Sequence, residues 1–196
     1  MDQNSTSVKA TRRRFVVVSG LPGSGKSTLA GRLAPTLNLR LIDKDEILEH
    51  LFESRGLGDA AWRRALSRES DVILQQQAES SDGAILVSFW RVAGMALDSG
   101  TPTEWLSRLP GSIVINVHCH CEPEVAADRF LRRKRHTGHL DAGVSHREVL
   151  ARFRKLSRLG PLNIEPRIDI DTSREPDLDD ILCEISAVGC CTTSDR

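Results

Sequence analysis

A chain of 196 residues is one domain's worth, and 39% hydrophobic with 28% charged residues is the composition of a globular fold with a sizeable core. It excludes an intrinsically disordered chain, a collagen and a disulfide-rich mini-protein. Lys plus Arg (27) equals Asp plus Glu (27), so no global basic excess marks a nucleic-acid or anionic-membrane partner.

Met1 to Arg14 is polar and ends in Arg12-Arg13-Arg14, which predicts a disordered basic leader over residues 1–14. A signal peptide would continue into an apolar region of ~7–15 residues. Phe15 to Ser19 is too short for that and runs into glycines. No apolar run approaches the ~18–20 residues that span a bilayer, so the expected location is the cytoplasm, with no membrane partner. Five cysteines, an odd number without framework spacing, are expected to be reduced thiols. Cys190-Cys191 fall in an expected flexible tail, residues 188–196.

Between leader and tail, residues 15–187 read as a single domain. Short β-branched apolar runs alternate with longer helical stretches. Strands are predicted at Phe15–Ser19, Leu39–Ile42, Ala84–Ser88, Ile113–His118 and Arg167–Ile170. The first, third and fourth are near-continuous apolar runs, as in buried parallel strands. Helices are predicted at Lys26–Thr36, Glu46–Glu53, Asp59–Glu79, Pro123–Arg135, Ser145–Leu156 and Asp177–Ser186. Asp59 and Ser145 occupy N-cap positions, and Pro123 and Pro176 stand at or near a first turn. Strand alternating with helix predicts an α/β fold, a parallel sheet covered on both faces. Functional loops then gather at the carboxyl ends of the strands.

Gly20-Leu21-Pro22-Gly23-Ser24-Gly25-Lys26-Ser27-Thr28 matches G-x-x-x-x-G-K-[ST] without a gap, with a strand leading in and a helix leading out. The glycines permit backbone angles that turn successive N–H groups toward one concavity. The helix start adds unpaired N–H groups and a positive dipole end. Lys26 supplies a charge to the β- and γ-phosphates of ATP, and Ser27 a hydroxyl to a magnesium ion.

The second strand runs into Asp43-Lys44-Asp45-Glu46-Ile47. Its carboxyl end lies on the same sheet edge as the phosphate loop. Asp45 then falls where a transferred phosphoryl group meets its acceptor, and a carboxylate there takes the proton from an attacking hydroxyl. The alternative is that Asp43 or Asp45 only caps the following helix.

Gly20–Thr28 followed by Asp43-Lys-Asp-Glu-Ile resembles the small P-loop kinases of the zeta-toxin, chloramphenicol-phosphotransferase and polynucleotide-kinase group. The chain is more closely similar to AAA-family ATP-binding proteins with a kinase fold. That likeness rests on Lys44 to Phe52, Gly58-Asp59-Ala-Ala-Trp62, Cys121 to Ala126 with Arg129-Phe130, Arg135-His-Thr-Gly-His139-Leu-Asp141, and Asp169-Ile-Asp171-Thr172. It implies a three-layer P-loop fold with a five-stranded sheet in the order 2-3-1-4-5. It implies ATP- and magnesium-dependent transfer to a hydroxyl of a small molecule, with Asp45 as the base. It also implies that Thr172, after the fifth strand, sits in an adenine-contacting loop; the alternative is a helix cap. The rival function is a nucleotide-binding regulatory or RNA-associated protein with little turnover.

One departure concerns the metal. Such proteins often carry an acid near the end of the third strand, but Ala84-Ile-Leu-Val-Ser88-Phe89-Trp90-Arg91 has none. Ser88 or Asp43 then takes that place, and Ser27 with Asp43 form the candidate metal set. Phe89 and Trp90 are either core or a wall of the acceptor pocket.

Arg129, Arg132 and Arg133 stand at i, i+3 and i+4 in the one strong charge run. The resemblance implies a lid near residues 129–145 bringing Arg129 and Arg133, one turn apart, over the phosphates. A solvated basic face and a nucleic-acid contact are the alternatives. His118-Cys119-His120-Cys121 is not expected to bind metal, because alternation on a strand sends histidines and cysteines to opposite faces.

Overall fold

The structure, a computed structural model, describes residues 12–139, 141 and 143–191. Phe15-Val-Val-Val18 carries no polar side chain because helices cover it on both sides. Phe15 and Val17 face one layer, Val16 and Val18 the other, and all four are fully buried. Their strand, β1 (Arg13–Gly20), is central to a parallel sheet with β2 (Arg40–Asp43), β3 (Gly83–Val87), β4 (Ser112–His120) and β5 (Arg167–Asp171). The order is β2-β3-β1-β4-β5, as the family resemblance implied.

The helices are α1 (Lys26–Leu37), α2 (Lys44–Arg55), α3 (Ala60–Glu79), α4 (Pro123–Arg132), α5 (His146–Ser157) and α6 (Leu178–Cys191). Leu29 and Leu33 of α1 and Ile181 and Ile185 of α6 fill one face of the sheet. Leu48 and Leu51 of α2 and Leu66 and Leu74 of α3 fill the other. Trp90 and Trp105, from the long β3–β4 connection, join this second core, and Trp90 Nε1 donates to the Val18 carbonyl at 3.0 Å. Of the aromatic pair, Trp90 is therefore core and Phe89 is only half-buried. A smaller core joins α4 to α5, with Phe130 and Phe153 edge to face at 5.5 Å.

Predicted caps form: Asp59 accepts from the Trp62 N–H at 2.8 Å, and Ser145 makes a reciprocal capping box with Glu148. Several boundaries differ from the sequence reading. First, β1 begins at Arg13, two residues inside the expected leader. Arg13 reaches the Ala78 and Glu79 carbonyls at 3.2 and 2.8 Å, closing the end of α3. Residues 1–11 of that leader lie outside the described residues. At the other end α6 runs to Cys191, past the expected start of the tail at 188, and residues 192–196 again lie outside.

Second, α2 begins at Lys44, because the cap is Asp43. Third, α4 ends at Arg132, with Arg133 already extended (ψ 137°). The segment beyond is drawn across α2: His136 stacks on Phe52 at 5.4 Å and His139 meets the same ring edge-on at 5.7 Å. Gly138 passes so close that a Cβ there would lie 2.4 Å from the Phe52 ring. Tertiary contact overrides the helix propensity of the Arg-rich run.

Along β4, Cys119 and the following Cys121 are buried and His120 is exposed, as alternation predicts. Among the described residues no three His, Cys, Asp or Glu side chains group around a metal position. No helix among them is long and apolar enough to cross a membrane.

Candidate active site

β1 and β2 deliver their carboxyl ends, Gly20 and Asp43, to one edge of the sheet, and the loops there surround a cleft of about 1140 Å³. Pro22, Gly23, Gly25, Lys26, Ser27 and Thr28 form one wall. Gly23 has φ +80°, and a Cβ on it would lie 2.3 Å from the Ala126 carbonyl oxygen, so the loop packs directly on α4. Gly25 is the N-cap of α1 and brings no side chain to it, which leaves the first N–H groups of the helix for an anion. Gly20 and Leu21 do not line this cleft: their carbonyls accept from Lys26 Nζ at 3.0 and 2.8 Å. Ser24 is fully buried.

Lys26 is thus folded back across the loop and 9% exposed. Burial lowers its ammonium to about 8, although Cys119, Asp45 and Asp43 pull the other way. A triphosphate beside it favours the charged form. Binding of ATP is therefore expected to take up about half a proton at pH 8, where half of the free protein's Lys26 is neutral, and to weaken as pH rises further. Calorimetry at pH 8 in two buffers of different ionisation enthalpy measures this. Zero uptake would show that the phosphates do not lie against Lys26.

The two acids at the end of β2, Asp43 on the strand and Asp45 beyond it, have separate places. Asp43 Oδ1 accepts from the Asp45 N–H at 2.9 Å, the cap bond, and Oδ2 accepts from Ser27 Oγ at 2.6 Å. Burial raises the Asp43 carboxyl despite both bonds. Asp45 caps nothing. Its Oδ2 accepts from Arg135, and among the described residues Oδ1 has no partner. Burial pushes the Asp45 carboxyl up, but Arg135, His139 and Arg133 together hold it below the ordinary carboxylate range. It is an anion at neutral pH with one oxygen free.

The basic residues diverge. Arg133 is the C-cap of α4, its N–H donating to the Arg129 carbonyl at 3.2 Å, so the two arginines stand one turn apart at the end of the helix and both line the cleft, with different partners. Arg129 donates to the Thr172 and Ser173 carbonyls at 2.7 and 2.9 Å and ties the β5–α6 loop to α4. Arg132 is a solvated side chain, 82% exposed and 3.7 Å from Asp128. Arg133 lies over the Phe130 ring and lines the cleft. Arg135, which spacing did not single out, bridges Asp45 and Asp141. The polar groups of Thr172 are already bonded: N–H and hydroxyl donate to the His120 carbonyl at 2.9 and 2.7 Å, and its own carbonyl accepts from Arg129.

A buried polar network also escaped the sequence reading. Lys44 Nζ lies 2.6 Å from Asp71 Oδ1, Thr101 Oγ1 donates to the same carboxylate at 2.7 Å, and Ser88 Oγ meets Thr101 Oγ1 at 2.5 Å. Ser88, a candidate for the missing third-strand acid, is therefore bonded into this network. Asp43, paired along the sheet with Val87, is the carboxylate beside that position. Burial lowers the Lys44 ammonium, partly restored by Asp71.

Residues 16–150 match the family model described as an AAA domain. The chain belongs to that family. A shikimate kinase of Corynebacterium jeikeium (strain K411) is 39% identical over 75 residues, 35% of this chain and 38% of that one. A cytidylate kinase of Haloarcula marismortui is 35% identical over 100 residues, 47% of this chain and 51% of that one. The chain thus matches about half or less of the length of these curated relatives. Among solved structures, a candidate kinase from Chloroflexus aurantiacus J-10-fl superposes with a TM-score of 0.76 at 28% identity, covering 90% of this chain and 98% of that one. A shikimate kinase of Bacteroides thetaiotaomicron, with a TM-score of 0.54 and 22% identity over 89% and 95% of the two chains, shares the fold.

Proposed function

We propose that this protein is an ATP- and magnesium-dependent kinase that moves the γ-phosphoryl group to a hydroxyl of a small molecule. The observation that carries the reading is Asp45: an ionised carboxylate with a free oxygen, facing the same cleft as the phosphate loop. The acceptor oxygen bonds to the γ-phosphorus as the bond to the bridging oxygen breaks, ADP leaves, and the hydroxyl proton passes to Asp45. A carboxylate of low pKa is a weak base. It serves a loose transition state in which the proton leaves late and the main task is to aim the hydroxyl.

Lys26 and the first N–H groups of α1 hold the phosphates. Arg135 pairs with Asp45 and Arg133 helps hold its carboxyl down, and both stabilise charge on the transferred group. Arg129, in the arrangement described, serves the nucleotide by fixing the loop that carries Thr172. Ser27 and Asp43 present a hydroxyl and a carboxylate 2.6 Å apart, the oxygen donors a hard cation accepts. Magnesium, when bound, supplies neutralisation of the phosphate charge there.

Within the P-loop kinases, Asp43-Lys44-Asp45 and the basic segment 129–141 support the zeta-toxin, chloramphenicol-phosphotransferase and polynucleotide-kinase grouping. A cytoplasmic site of action fits the ATP requirement and the unpaired Cys119, Cys121 and Cys183. ATP consumption measured across sugars, nucleosides, antibiotics and 5′-hydroxyl RNA is the test. Phosphorylation of a small hydroxyl compound is expected. Tight ATP binding without transfer to any member would instead favour a regulatory nucleotide-binding protein, and transfer to RNA alone a polynucleotide enzyme.

A further inference from the structure

The cleft is more basic than a triphosphate requires. Lys44 is neutralised by Asp71, and Arg135 by Asp45 and Asp141. Beside Lys26 and the basic residues of α4 and α5 that also line the cleft, a further group lies on α3. Ala60, Arg63, Arg64, Ser67, Arg68 and Asp71 recur at helical spacing, and all of them line the cleft. α3 makes ion pairs through Asp71 and through Glu69, which takes Arg55. Among the described residues Arg63, Arg64 and Arg68 have no carboxylate partner. A charged helix face is ordinarily a solvated one, but this stripe forms the wall of a concavity. Arg63 Nε is moreover buried with nothing to donate to. Arg63 also lies close enough to Lys44 to disfavour its charge, so two cations crowd one corner. An anion between them satisfies the orphaned donor and relieves the repulsion.

We infer that this stripe is an anion subsite for the phosphoryl acceptor. The acceptor is a hydroxy compound that also carries a carboxylate or a phosphate group, held by Arg63 and Arg68, with its hydroxyl left to Asp45 on the facing helix α2. A guanidinium fork matches two oxygens of either group, which is why arginine suits the task. Ser67, on the same stripe, adds a hydroxyl. The Lys44–Asp71–Thr101–Ser88 network anchors α3 to the end of β3 and holds the stripe at a fixed distance from the phosphate loop. This inference rests on the kinase reading for the word acceptor, but the anion subsite is measurable without turnover.

The test uses the full chain saturated with magnesium and a non-hydrolysable ATP analogue, so that the phosphate loop is occupied. Glycerol, glycerate and glycerol 3-phosphate are titrated in turn by calorimetry at fixed ionic strength. The two charged probes separate carboxylate from phosphate recognition. At least one of them is expected to bind tenfold or more tighter than glycerol. Arg63→Gln/Arg68→Gln is expected to lose that advantage while analogue affinity stays unchanged. The exposed pair Arg64→Gln/Arg68→Gln repeats the measurement if loss of the half-buried Arg63 lowers the melting temperature. Equal binding of glycerol and both anions, or unchanged anion affinity in the variants, overturns the inference. So does loss of RNA binding in the variants with small-anion binding intact, which makes the stripe a nucleic-acid surface. Failure of the kinase reading has a different signature: the anion still binds beside the nucleotide, and no panel compound is phosphorylated.

Discussion

Asp45→Asn is expected to fold normally, bind ATP normally and lose ~10²–10⁴-fold in phosphoryl transfer. By the transition-state relation that is about 3–5 kcal/mol. The substitution keeps the shape of the side chain and removes its charge and proton affinity. It also leaves the start of α2 intact, because the cap is made by Asp43 and not by residue 45. The cost in stability is confined to the ion pair with Arg135. The Asp45 side chain is 49% exposed, so that pair contributes about 1 kcal/mol or less. Steady-state kinetics on the acceptor found by the panel, with a melting curve as control, separates the effects. An Asp45→Asn protein within a few-fold of wild-type kcat would remove Asp45 from the chemistry.

Lys26→Ala is expected to weaken ATP binding roughly 10- to 200-fold while leaving adenosine binding unchanged. Hydrogen bonds to charged groups contribute about 1.5–3 kcal/mol, and each 1.4 kcal/mol is tenfold in affinity. The contrast between the two ligands isolates the phosphates: adenosine has none, so it cannot register the loss of Lys26. Calorimetry with both ligands measures it. The variant also releases the Gly20 and Leu21 carbonyls that Lys26 now engages, so its melting temperature must be recorded beside the affinities. Unchanged ATP affinity in Lys26→Ala would mean that the loop does not read phosphate charge.

Whatever depends on local chemistry is legible in the chain alone. Gly20 to Thr28 specify a phosphate loop because glycine freedom, a helix start and a lysine act within nine consecutive residues. The unbroken apolar run of β1 specifies a strand buried on both faces, since no polar alternation marks a wet side. Asp43 and Asp45 were placed at the site edge because a strand ended immediately before them. Which of the two is the cap is not readable, as both are adequate cap residues within three positions of the predicted start at Glu46. Tertiary structure decided it, by setting Ser27 Oγ 2.6 Å from Asp43 and Arg135 against Asp45. Arg135 lies 90 residues from Asp45 along the chain, and no spacing rule spans that distance. Helical periodicity joins Arg129 to Arg133, and the last bond of α4 keeps them one turn apart. What periodicity does not show is that Arg129 is bonded to the Thr172 and Ser173 carbonyls while Arg133 lies over the Phe130 ring, and that packing of His136, Gly138 and His139 on Phe52 stops α4 there. The arginine stripe of α3 was present in the sequence at helical spacing. Periodicity defines the face of a helix but not what it faces, and only the packing of α3 against the sheet turned that face into a wall of the cleft.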